Sequence, residues 1–118
     1  MEFRVYRIEK SGKSRFLCNT RFVRGLGAQI GLMFHKKLRK GQTLTLELPN
    51  AKVGIHTCFV SFPIDLFFLD NKLKIIEKSS LESWRMYVPK KRAKFLLEAN
   101  KSELRLMAGD KLKVVEGK

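Results

Sequence analysis

Ile64-Asp-Leu-Phe-Phe-Leu69, then Asp70-Asn71, then Lys72-Leu-Lys-Ile-Ile-Glu77: two runs rich in Phe, Leu and Ile flank a pair of turn residues. Asp and Asn both tolerate positive φ, so the stretch predicts a β-hairpin turning at Asp70-Asn71. Downstream, Trp84–Val88 reads as an edge strand that Pro89 stops, because proline has no N–H for a ladder. Ala93–Glu98 returns as a strand, with Glu98 placed at its turn. Ser102–Met107 predicts one turn of helix with Ser102 as its cap. Gly109-Asp110 then turns the chain into a last strand, Lys111–Glu116.

Upstream, Thr43-Leu-Thr-Leu-Glu-Leu48 alternates strictly, as a half-buried strand does, and Pro49-Asn50 marks a turn. Val53–Val60 alternates weakly, which predicts a strand buried on both faces. At the amino end, Glu2–Glu9 and Arg15–Asn19 flank the turn chemistry of Lys10-Ser-Gly-Lys13. Thr20 is placed to cap a short helix through Phe22, Val23, Leu26 and Ile30, weakened by Gly25, Gly27 and Gly31. The expected fold is mainly β: a compact sandwich or barrel of short, mostly antiparallel strands, with a short helix in the N-terminal half and a helical turn near the C-terminus. No linker or repeat interrupts residues 1–118, so a single domain is expected.

The 118 residues are 44% hydrophobic, enough for one core without disulfide or metal staples. Cys18 and Cys58 are too few for a disulfide framework or a four-ligand zinc site, and they read as reduced thiols. The amino terminus has no apolar run of the signal-peptide kind. The most apolar stretch, Phe59–Leu69, carries Pro63 and Asp65 and is half the length of about twenty residues that a membrane span needs. A cytoplasmic protein with no membrane partner is the simplest reading. Charge is the outstanding feature: 25 Lys and Arg oppose 11 Asp and Glu, a formal net charge of +14. Such an excess speaks to solubility and polyanion attraction, not to fold.

Three segments, in order, resemble a known family: Thr20 through Gly31-Leu32-Met33, Phe62-Pro-Ile-Asp-Leu-Phe-Phe-Leu-Asp70, and Phe95-Leu-Leu-Glu98 followed by Gly109-Asp110. Over about residues 15–115 the chain resembles the conserved uncharacterised family called domain of unknown function 192. The resemblance implies a compact β-rich domain with a short helix near Gly-Leu-Met, and it brings no established activity. Many members carry Trp-Met-Lys-Asn-Thr where this chain has His56, Thr57, Cys58, Phe59 and Val60, and an Arg where it has His35.

Candidate chemistry is sparse. His56 and Cys58 lie two apart, on one face of any strand, but such neighbours are poorly spaced for a nucleophile–base hydrogen bond. His35, His56, Cys18 and Cys58 show no metal-ligand spacing, and Ser11-Gly12-Lys13 lacks the rest of a phosphate loop. No cofactor is implied. Asp65, set between Ile64 and Leu66, must find partners if buried; it reads as a structural acceptor or as the polar residue of a pocket. Two basic clusters in expected loops, with Lys36, Lys37, Arg39 and Lys40 in the first and Lys90, Lys91, Arg92 and Lys94 in the second, are candidates for following a phosphate backbone. The nine Phe residues read mostly as core. Three functions are therefore weighed: a small basic module contacting nucleic acid or another polyanion, a ligand- or protein-binding accessory domain with incidental charge, and an enzyme with a site near His56, Cys58 and Asp65.

Overall fold

The opening hairpin forms as β1 (Glu2–Ile8) and β2 (Ser14–Val23), joined by a turn in which Gly12 takes φ +88°. The computed structural model describes residues 2–23, 40–51, 55–56, 62–82 and 85–117. Within them follow β3 (Gln42–Ala51), β4 (Ile55–His56), β5 (Ile64–Leu69), β6 (Ile75–Leu81), β7 (Met86–Tyr87), β8 (Ala93–Asn100) and β9 (Lys111–Glu116). Seven strands make one open mixed sheet in the order β6-β5-β8-β3-β2-β1-β9, and β4 pairs with β7 as a separate ribbon.

The expected sandwich or barrel is thus a single sheet. Among the described residues its two outer strands meet at one corner, where Lys74 bridges Lys111, the Leu112 N–H donates to the Leu73 carbonyl at 2.9 Å, and Ile75 donates to the Asp110 carbonyl and accepts from the Gly109 N–H, each at 2.8 Å. Pairing is antiparallel except for β2–β3, which runs parallel. A radius of gyration of 13.2 Å is compact for this length.

β5 explains its own sequence. It lies between β6 and β8, and all six of its residues are buried. Ile64, Leu66 and Phe68 join one core cluster with Leu44, Leu46 and Leu96; Phe67 and Leu69 join a second with Val5, Cys18, Leu97 and Leu112. A strand covered on both faces reads as a continuous apolar run. The turn after it is longer than the predicted pair: Asp70 N–H donates to the Lys74 carbonyl, and Asp70 Oδ1 accepts from Lys72 N–H and Lys74 N–H, each at 2.9 Å. Positive φ falls on Leu73 (64°), and the second strand starts at Ile75.

Neither expected helix is found among the described residues. Thr20–Val23 continue β2, and Thr20 does not cap; its buried hydroxyl lies 2.7 Å from that of Thr45 on β3. Residues 24–39, which hold the rest of the expected helix and the Gly-Leu-Met segment, lie outside the described residues. In Ser102–Met107 no helix forms: Ser102, at φ 64°, and Glu103 lie in a turn, and Arg105–Met107 take no regular structure. Pro49-Asn50 does not end β3, which runs to Ala51 across a register shift between Glu47 and Ala51. Of Val53–Val60, only Ile55–His56 is described, as β4. Of the expected edge strand Trp84–Val88, Met86–Tyr87 form β7, and Trp84 lies outside the described residues. Among the described residues, no helix is long and apolar enough to cross a membrane.

Candidate functional site

The second basic cluster lies in the connection between β7 and β8, and a single carboxylate organises it. Glu77 on β6 accepts the Lys90 N–H at 2.9 and 3.1 Å through its two oxygens and the Lys91 N–H at 3.2 Å. It also accepts the Tyr87 hydroxyl, and that hydrogen bond is the main reason the phenol pKa is raised. Pro89 is buried beneath the turn. With its backbone donors turned inward to Glu77, the loop exposes the Lys90, Lys91 and Arg92 side chains, while Lys94 is half-buried at the start of β8. Of the first cluster, Lys40 is exposed in the turn before β3; Lys36, Lys37 and Arg39 lie outside the described residues.

Asp65 is buried and both of its oxygens are used. Oδ1 accepts the Ser80 hydroxyl at 2.5 Å and Oδ2 the Ser102 N–H at 2.9 Å, tying β5 to β6 and to the chain leaving β8. His56 is placed by its backbone pairing with Met86, and Cys58 lies outside the described residues. Among the described residues, no group of three His, Cys, Asp or Glu side chains is placed to hold a metal.

Glu98 and an apolar cavity escape a reading of the sequence, whereas Cys18 is the reduced thiol that the sequence predicts. Glu98 does not sit at a turn; it is buried in β8, paired with Leu44 on one side and Leu66 on the other. Burial raises its pKa from 4.5 to about 7, and no cation pairs with it among the described residues. Cys18 is a buried free thiol, its Sγ 3.6 Å from Thr43 Oγ1, whose own proton goes to the Asn19 carbonyl. Burial pushes this thiol up to about 11, the Thr43 hydrogen bond lowering it and nearby Glu103 raising it by smaller amounts. Finally, a cavity of about 130 Å³ lies between strands on the second core face, with Val5, Phe22, Thr45, Phe95, Leu97 and Leu112 among its lining. Asp65 is not on that lining.

Known proteins share this architecture. The chain superposes on a crystal structure from Sinorhizobium meliloti 1021 with a TM-score of 0.83 at 16% identity, covering 97% of this chain and 94% of that one. It superposes on a protein of unknown function from Novosphingobium aromaticivorans with a TM-score of 0.77 at 18% identity, covering 93% and 83%. At such identities the likeness is one of fold. In sequence, it is 35% identical over 88 residues to the UPF0127 protein PH1112 of Pyrococcus horikoshii, covering 71% of this chain and 76% of that protein. It is 37% identical over 78 residues to the UPF0127 protein PYRAB11210 of Pyrococcus abyssi, covering 61% and 67%. Residues 24–114 match the family described as Uncharacterized ACR, domain of unknown function 192, and the chain belongs to that family.

Proposed function

We propose that the protein is a binding module for an anionic polymer, contacted through its exposed Lys and Arg loops. The observation that carries this reading is the Glu77 clamp. A basic loop that must be ordered on binding loses conformational entropy at that moment, whereas one already tied to the sheet does not. Glu77 ties the loop through its backbone, leaving Lys90, Lys91 and Arg92 exposed for an external anion. The net charge of +14 supplies the long-range attraction.

The test is salt-dependent binding of fluorescein-labelled heparin and of a labelled RNA to the full chain, followed by anisotropy. Binding is expected to persist at about 150 mM salt, with the logarithm of affinity falling linearly against the logarithm of salt concentration. Changing Lys90, Lys91 and Arg92 together to Ala should flatten the RNA slope by roughly 2, at about 0.7 per lost single-strand phosphate contact. The Lys36, Lys37, Arg39, Lys40 quadruple Ala variant asks the same of the first cluster. No binding of either probe at that salt overturns the reading.

The cavity supports a second reading, an accessory domain for a small apolar ligand. Its 130 Å³ is close to the roughly 150 Å³ known to admit a benzene-sized guest. Its polar group, the Thr45 hydroxyl, already has Thr20 as partner. Failure of benzene-sized compounds to raise the melting temperature would count against it.

A further inference from the structure

We propose that the outward face of β9–β1–β2 is a stacking surface for single-stranded nucleic acid, an inference that rests on the anionic-polymer reading and gives that polymer bases. Side chains alternate across a strand. Val5, Cys18, Leu112 and Val114 point to the second core cluster, so their neighbours point away from it. The pairing sets those outward residues in rows across three strands: Lys113, Tyr6 and Phe16; then Val115, Arg4 and Asn19; with Arg21 opposite Glu2 at one end and Lys111 beside Ile8 at the other. Arg4, Arg21, Lys111 and Lys113 are all exposed, and Glu2 is the acid among these positions.

Phe16 is the residue that needs explaining. It is 50% exposed, next to Tyr6 in an edge-to-face pair with centroids 5.6 Å apart and planes at 72°. Simple alternation from Cys18 would turn Phe16 inward and Leu17 outward. The register instead slips between Val5 and Tyr6: Val5 pairs with Cys18 and Tyr6 with Phe16, so Leu17 becomes the extra residue of a bulge. Leu17 packs against the core and Phe16 is turned to solvent. A bulge that re-aims a side chain is a device found beside functional sites. Here it places an aromatic ring outward where an aliphatic residue would otherwise stand.

An exposed ring flanked by cations on a sheet face suits unpaired bases. Every base has a π-face to stack, the cations follow the phosphates, and neither contact depends on sequence. A duplex hides its base faces, and a sulfated sugar polymer has none.

The experiment compares a labelled 12-nucleotide oligo(U), the same length of RNA duplex, and labelled heparin on the full chain at about 150 mM salt, with Phe16→Ala and Phe16→Trp. Because Phe16 is half exposed, both variants should keep the wild-type circular dichroism. Phe16→Ala is expected to weaken oligo(U) binding about tenfold, leave heparin unchanged, and be rescued by Phe16→Trp. Unchanged oligo(U) affinity in Phe16→Ala, or a duplex bound more tightly than the single strand, overturns this inference while the anionic-polymer reading stands on the heparin result. A wild-type dimer that Phe16→Ala dissociates in sedimentation would assign the face to a second copy of the chain and also overturn it. No binding of any probe removes both.

Discussion

Glu98→Gln should remove a pH dependence of folding that the buried carboxyl imposes. In the unfolded chain this group titrates near 4.5, and in the folded protein near 7, because burial between Leu44 and Leu66 disfavours its charge. Between those values the folded state keeps a proton that the unfolded state has lost. Stability therefore falls as pH rises from about 4.5 to about 7 and is flat outside that window with respect to this group. The separation of roughly 2.5 units corresponds to about 3 kcal/mol, the upper bound for the effect. Glutamine keeps the shape and stays neutral. The variant should match the wild type at pH 4 and exceed it by up to about 3 kcal/mol at pH 8, roughly 10 °C in melting temperature for a chain of this size. Urea denaturation of both proteins at unit steps from pH 4 to 8 measures the difference and cancels the titration of every other group. A Glu98→Gln protein less stable than wild type at pH 8 would refute the reasoning, since it would mean that the ionised carboxylate is held by a partner.

Asp65→Ala leaves the Ser102 N–H and the Ser80 hydroxyl without their acceptor. It should cost about 2–4 kcal/mol in urea denaturation, and a loss below about 1 kcal/mol would show that water replaces it freely. Glu77→Ala releases the backbone of Lys90 and Lys91. Tryptic cleavage at Lys90, Lys91 and Arg92 should speed up on the order of tenfold, and an unchanged rate would remove the clamp from the account of the loop. The Cys18 thiol, pushed up to about 11, should be alkylated at pH 8 on the order of 100-fold more slowly than a free thiol until urea unfolds the protein. Mass spectrometry of the Cys18 peptide reads this, and fast labelling of the native protein would contradict it.

The strands whose environment is written in their own residues were legible. β5 is apolar but for Asp65 because both faces are covered, and the turn that follows carries Asp70 to receive its N–H groups. The last strand, Lys111–Glu116, follows a glycine at φ +100°. What the chain does not write locally is register and partnership. Thr20 has helix-cap chemistry, but a threonine 25 positions away on β3 takes its hydroxyl. Glu98 looks like a turn residue because it is charged, and its burial is set by β3 and β5. The exposed cations of the second cluster could be read from Pro89-Lys-Lys-Arg92, whereas Glu77, 13 residues earlier than Lys90, gave no local sign of holding that loop. Phe16 opens the apolar run Phe16-Leu-Cys18, and the slip against β1 turns it outward.

The pairing of β1 with β9 brings Phe3 opposite Glu116, and Gly117 donates its N–H to the Glu2 carbonyl. β1 is therefore flanked on one side by a segment made more than a hundred residues later. Until residues 111–116 have been synthesised, β1 has an open edge, and an unpaired edge is where a nascent chain recruits other strands. Completion of the sheet is in this sense a late event, set by translation of β9. A message truncated before it would yield a chain with the hairpin in place and its aggregation-prone flank exposed.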